Sequence, residues 1–495
     1  MANVGQVRGF PIFGLLIGAA AGYAAYAVVE HWFDPAAQRA GPPAALVGIG
    51  AFAAGLLLLW GQQVRFRAVA SAAGISCALA LTTLSIFSIG PAIPELTPWP
   101  RLFWILAGMP IAGYLMTTLA KAALAGEFST RYSAVFFHGL TLPIISAGAA
   151  FFAGLALVLI YAWAGLLKSF EVDFFHRLFQ EPWFVLTFVG AVSGLSIGLI
   201  SGLESMLGGL RFLLLLLARV LIPVAAVFSL TFVLVLAIKG TAPIFSTPYP
   251  SAVMMALAFS SMLVFNGVYQ TGEGEAPPFW LRISTLVTLA VIPVYSGLAV
   301  YAFWLRIAEY GLTPPRIIGL GVNALAALYV PVCAVALISE MNWGTKRWMP
   351  LVAPLNVVMA FAWIAGLVFL ASPALNLWTL SAQSQERRLI EGRVNVDAFD
   401  FSYLRFHLGA YGRAALKRLA AVDGHAEAAA IRAGAERALN AENAFYYDQI
   451  EAQKELRSTT DQRTPLLSGN LNDLPLNPGM DDSETADFDA TPQPE

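Results

Sequence analysis

The stretch Leu213–Gly240, LLLLLARVLIPVAAVFSLTFVLVLAIKG, holds two charged residues, Arg219 and Lys239. A helix running from 212 to 238 would measure about 40 Å, against a hydrocarbon core of about 30 Å. Residues 219–238 fit that core, with Arg219 and Lys239 as interfacial anchors at its two ends. An ionisable residue at membrane depth reads as functional by default, so the anchor reading of Arg219 rests on length.

The rest of the chain repeats this pattern. Of its 495 residues, 58% are hydrophobic and 12% charged, and the mean hydropathy is +0.68, more apolar surface than one soluble core can bury. Eleven runs are long enough to span: 10–29, 43–60, 68–88, 102–120, 139–166, 183–203, 219–238, 251–269, 283–304, 317–339 and 349–371. The first is followed by many others and reads as a retained helix rather than a cleaved leader. Residues 204–238 read either as one long helix or as an interfacial helix plus a span, and 132–166 exceeds what an upright helix needs. The expected fold is therefore all-α, a polytopic membrane helix bundle of about eleven transmembrane helices. Cys77 and Cys333 lie in apolar runs and behave as small hydrophobes, not as a disulfide framework.

Spacing within the runs gives packing expectations. Gly14, Gly18 and Gly22 share a four-residue step, as do Gly190, Gly194, Gly198 and Gly202, which lets backbones approach closely in lipid. The segments 221–243 and 291–315 resemble each other around Pro223 and Pro293, a faint helix-pair similarity of the kind found in transporter repeats. Pro331 and Pro354 place breaks near the start of the next two spans. Asn266, Asn323 and Asn356 sit within spans and read as interhelical packing residues worth about 1 kcal/mol each. Loops on the amino-terminal side carry nine basic residues and those opposite seven, so charge does not set orientation.

Beyond residue 378 the character changes. Residues 1–378 hold 17 basic and 12 acidic residues, whereas the last 117 hold 12 and 19. Residues 379–457 carry 11 of each sign and read as a soluble helical segment. Residues 458–495, with eight acids and five prolines, read as a disordered acidic tail. Neither has the basic excess of a nucleic-acid surface. Catalytic signatures such as HExxH, G-x-S-x-G or a Walker loop do not occur, and the five histidines sit at no ligand spacing, so no metal or cofactor is expected.

Two stretches are more specific. In LRIAEYGLTPPR (305–316), Arg306 and Glu309 are neighbours on a helix face, Gly311 terminates the helix after Tyr310, and Pro314 blocks its continuation. In FDFSYLRFHLGAYGRAALKRLAA (399–421), Asp400 can cap a helix whose Phe401, Leu404, Leu408, Tyr411, Ala415 and Leu419 form one apolar stripe. Arg405, Arg413 and Lys417 fall largely off that stripe. Gly409 and Gly412 suggest a bend or a close backbone approach, and the segment is expected to dock on its own membrane bundle. Together with LIPVAAVFSLTFVLVLAIKG and LWTLSAQSQERRL (377–389), these stretches resemble the bacterial multi-pass inner-membrane family catalogued as domain of unknown function 4153, over roughly residues 200–420. The resemblance implies an inner-membrane setting and no catalytic residue. Its motif positions here are Arg306, Glu309, Tyr310, Gly311, Ser381, Ser384, Asp400, Arg405, Gly409, Tyr411, Gly412 and Arg413, with His407 where the family often has an acid. The expected function is solute transport or lipid handling without covalent chemistry, with membrane lipids as partners. The alternative is a scaffold that holds an envelope protein through the carboxy-terminal helices.

Overall fold

The structure, a computed structural model, describes residues 4–33, 39–60, 65–89, 99–125, 131–247, 249–273, 276–341 and 348–441. The segment 458–495, expected to be disordered, lies outside them. Eleven helices among these residues are long and apolar enough to cross a membrane, which makes this a multi-pass membrane protein of the all-α class, with no strand among the described residues. In chain order they are α1 (Val4–His31), α2 (Gly41–Leu59), α3 (Arg65–Ile89), α4 (Trp99–Ala125), α5 (Tyr132–Lys168), α6 (Pro182–Ser201), α7 (Glu204–Lys239), α8 (Pro250–Tyr269), α9 (Phe279–Tyr310), α10 (Pro314–Glu340) and α11 (Val352–Leu370). Proline in the first turn, where its missing N–H costs nothing, opens α2, α6, α8 and α10. Gly240 and Gly311, both at positive φ, follow the ends of α7 and α9.

Residues 204–239 form a single helix of 36 residues, so of the two readings of that region the continuous one holds. At 1.5 Å per residue it is about 54 Å long and outreaches the hydrocarbon core. The two glycine stripes meet each other: α1 and α6 run antiparallel with Gly14 against Gly194 and Gly18 against Gly190, backbone on backbone. Helix α10 is interrupted at Leu328–Tyr329, just before Pro331, in its interior rather than near its start. Pro354 breaks nothing, because it falls in the first turn of α11. The helices carrying Pro223 and Pro293 pack side by side, with Ile222, Leu289 and Ile292 buried between α7 and its neighbours and Tyr295 Oη donating to Ser229 Oγ at 3.2 Å.

Three further helices follow: α12 (Leu377–Ile390), α13 (Gly409–Ala420) and α14 (Ala428–Asn440). Met1–Leu439 form one compact unit, so α12, α13 and nearly all of α14 belong with the bundle. Asp400 Oδ1 accepts the Tyr403 N–H at 2.8 Å and caps a short helical stretch that passes through a wide turn at Tyr403–His407. The chain bends at Leu408–Gly409, where Gly409 has φ +55°, and α13 follows. Phe401, Leu404, Leu408, Ala415 and Leu419 are buried and Tyr411 is half-buried, while Arg413 and Lys417 are exposed. Gly412 lies against the Leu404 carbonyl, leaving no room for a side chain.

Candidate functional site

Four helices meet in a ring of neutral polar side chains, with Tyr329 buried and the others half-buried. Tyr132 opens α5, Asn266 lies one turn before the end of α8, Tyr329 sits at the break in α10, and Asn356 lies in the second turn of α11. Asn356 Nδ2 donates to Asn266 Oδ1 at 2.7 Å and to Tyr132 Oη at 3.0 Å. Tyr329 Oη donates to Asn356 Oδ1 at 3.1 Å and accepts from Asn266 Nδ2 at 2.9 Å. Each amide is satisfied by a group on another helix, so the ring fixes four helices in one register. Asn323 does not join it; its amide returns to Gly319 O of its own helix at 2.8 Å.

Tyr269, the last residue of α8, continues from this ring. Its ring lies tilted at 6.0 Å from Tyr132 and 5.9 Å from Trp348, and its hydroxyl donates to Met349 O at 3.0 Å. Trp348 in turn donates to Glu340 Oε2 at 3.1 Å, and Glu340 pairs with Arg282. On the outer side of Tyr269 and Trp348 lies a cavity of about 610 Å³ between α7 and the α8–α9 connection. Its walls include Val220, Pro223 and Trp280, and Arg219 and Gln270 supply polar groups. Arg219 stands level with the end of α8 and the start of α9, and Lys239 closes the other end of α7 about 30 Å away. Val220 and Trp280 are more than half exposed, so the cavity is a groove open on the flank of the bundle that faces lipid. Of three non-glycine residues with positive φ among the described residues, Gln270 lines the groove and Met349 adjoins it; strained backbone of this kind collects at binding sites.

The motif residues gather elsewhere, around α12. Gly311, at φ +73°, turns the chain out of α9, and the exposed peptide groups of that turn are taken by α12 side chains. Ser381 Oγ donates to Leu312 O at 3.0 Å, Gln385 Nε2 to Tyr310 O and Leu312 O at 3.1 Å each, and Arg388 Nη2 to Glu309 O. Leu312 N donates to Ser384 Oγ at 3.0 Å, and Arg316 Nη1 donates to Gly311 O at 2.9 Å. Helix α12 also receives the Asp400–Ala420 segment: Tyr403 Oη lies 3.4 Å from Ser381 Oγ, and Arg418 forms a two-pronged pair with Glu386 at 2.8 and 2.5 Å. Burial raises the Tyr403 phenol above its ordinary range. Arg306 is half-buried, Glu309 and Tyr310 are exposed, and half-buried Arg405 stacks on Phe406 at 5.6 Å. Three stretches far apart in sequence thus form one joint, whose bonds run largely to backbone groups and leave no reacting pair of side chains.

Sequence reading found Arg219 and the asparagines but not Tyr132, Tyr269, Tyr329 or Trp348. Among the described residues no three His, Cys, Asp or Glu side chains gather as a metal site. Set against protein-family models, curated proteins and solved structures, the chain matches none.

Proposed function

We propose that this protein handles an anionic lipid without covalent chemistry, seating it in the groove beside Arg219, and that it does so in a bacterial inner membrane, the setting its resemblance to the domain-of-unknown-function family implies. The observation that carries the reading is the groove itself: one cation at the level of the helix ends, apolar walls below it, and an open side toward lipid. That arrangement fits a molecule with a charged head and a hydrocarbon body. A freely soluble ion would meet too few polar groups, and a neutral lipid would leave Arg219 without a use. Tyr269 and Trp348, backed by the neutral ring, give the groove a rigid inner wall, so binding does not have to order its own site.

The test is lipid retention by the purified full-length protein, read by mass spectrometry. Arg219→Gln is expected to reduce retained anionic phospholipid on the order of tenfold, the effect of losing about 1.4 kcal/mol, while Arg219→Lys keeps most of it. Lys239→Gln, at the far end of the same helix, serves as the control. Equal retention in Arg219→Gln and Lys239→Gln would leave Arg219 as an anchor alone and the reading without support. The scaffold reading draws on one observation, the exposed Arg413 and Lys417 on a docked α13. It predicts a protein partner that is lost when both are changed to Glu.

A further inference from the structure

A second group of basic side chains lies apart from the groove and has no part in the reading above. Lys121 sits four residues before the end of α4, His138 is the seventh residue of α5, and Arg211 is the eighth of α7. By chain direction all three fall on the end of the bundle where α4 finishes and α5 and α7 begin. Lys121 Nζ donates to Leu58 O at 2.6 Å, and Leu58 is buried. Arg211 Nη1 donates to Thr141 Oγ1 at 2.8 Å while its guanidinium lies 4.1 Å from the centre of the Phe137 ring. His138, the neighbour of Phe137, is within electrostatic range of both Lys121 and Arg211.

The direction of these side chains separates them from ordinary anchors. A snorkelling lysine or arginine carries its charge outward to the headgroups, whereas these two turn inward and settle on neutral acceptors. Neither belongs to an ion pair formed among the described residues. Like charges brought together at the edge of a low-dielectric layer repel, so the arrangement costs free energy unless something negative lies between them. Arg211 is also held from two sides, by Thr141 and by Phe137, which leaves the rest of its donor fork pre-aimed. A planar guanidinium and an ammonium at the same end of the bundle, with His138 in range of both, supply what a tetrahedral oxyanion takes: two parallel N–H groups for two oxygens and a point charge for a third.

We propose that Lys121, His138 and Arg211 form a binding site for a phosphate-type oxyanion, carried by a lipid headgroup or dissolved, that ties α4, α5 and α7 together. The site shares α7 with the groove, and Arg211 and Arg219 are separated by about 12 Å of helix rise, so the two can be emptied separately.

The experiment is thermal melting of the full-length protein in nanodiscs of phosphatidylcholine, of phosphatidylcholine with phosphatidylglycerol, and of phosphatidylcholine with inorganic phosphate added. A ligand that binds only the folded state raises the melting temperature by mass action. Wild-type protein is expected to gain several degrees with phosphatidylglycerol, Arg219→Gln to lose only the groove's share of that gain, and Lys121→Gln/Arg211→Gln to lose the larger share. Lys121→Gln alone, expected to lose at least half of the gain, stands in if the double variant does not fold. In pure phosphatidylcholine, Lys121→Gln should melt no lower than wild type, because removing one of several like charges relieves repulsion. The same gain from inorganic phosphate assigns a dissolved anion, and a gain from phosphatidylglycerol alone assigns a headgroup. The proposal is overturned if neither anion shifts the wild type, or if the double variant shifts as much as wild type. The nearest acid in sequence, Glu127, lies six residues after Lys121 and outside the described residues; the proposal is also overturned if Glu127→Gln lowers the melting temperature in pure phosphatidylcholine and Lys121→Gln abolishes that drop, since the anion would then be the chain's own carboxylate.

Discussion

Asn356 is the residue whose loss the second half of the bundle should feel most. Its amide serves Tyr132, Asn266 and Tyr329 at once. Truncation therefore leaves the Tyr329 O–H without its acceptor and reduces Tyr132 Oη and Asn266 Oδ1 to the 3.4 Å bond they share, and a donor or acceptor left without a partner away from water costs about 1–3 kcal/mol. Single interhelical bonds in membranes average only about 0.6 kcal/mol. Asn356→Ala is expected to lower the unfolding free energy by about 2–3 kcal/mol, and Asn323→Ala, which breaks a bond within one helix, by less than about 1 kcal/mol. Unfolding curves in mixed micelles would measure both, and equal losses would reduce the ring to four unrelated contacts. The asparagines could be picked from the sequence because an amide within an apolar run is rare. Their tyrosines could not: a tyrosine near the end of a span is ordinary interfacial composition, and the bonded pairs are 63 and 224 residues apart. Arg219 was legible as a charge, but the groove beside it depends on the α8–α9 connection, which no spacing along α7 announces.

Between elements, the contact of α1 with α6 is set by glycine alone. A Cβ on Gly18 would run into the Gly190 carbonyl, and one on Gly194 into that of Gly14. Backbone cannot swing aside as a long side chain can, so the helices would have to part. Gly18→Ala should cost about 1–3 kcal/mol, the usual penalty of overpacking, whereas Gly50→Ala in α2, where nothing lies within 4 Å, should be neutral or slightly stabilising. A thermal-melt comparison decides it, and indistinguishable shifts would mean that α1 and α6 are not in close contact in the membrane. The four-residue step made each stripe readable, yet not the partner, because any small-residue stripe is complementary to any other. The spans were readable in number and approximate position, since each needs an apolar run of fixed length. The true extents of α5 and α7 were less so: their ends continue as helix past the apolar run that marks them. The break in α10 shows the same limit, because proline shows that a carbonyl is freed but not which turn gives way.

At the scale of the molecule, α12 decides whether the carboxy-terminal helices and the bundle behave as one body. It grips the Gly311 turn with Ser381, Ser384, Gln385 and Arg388 and also carries the Asp400–Ala420 segment through Tyr403 and Arg418. Hydrogen bonds from a charged donor are worth about 1.5–3 kcal/mol, roughly twice a neutral one, so Arg388 should contribute the largest single share of the grip. Gly311 complements it from below: a Cβ there would lie 2.6 Å from Arg388 Cδ, and its φ of +73° strains any other residue. Arg388→Ala and Gly311→Ala are therefore expected to loosen the same joint by different routes. The bundle's own cores lie elsewhere, in α7 to α11 and around α1, α2, α5 and α6, and should melt at an unchanged temperature. Trypsin reports the joint: in the intact protein Arg405 is held half-buried and Arg413 lies on a docked helix, so cleavage there should be slow, and either variant should speed it several-fold. If Arg388→Ala left both sites as protected as before, the segment would be held by its lipid-facing or α14 contacts instead, and α12 would be a passenger. If both variants also lowered the melting temperature of the bundle, the joint would be part of the membrane fold rather than a hinge between two bodies.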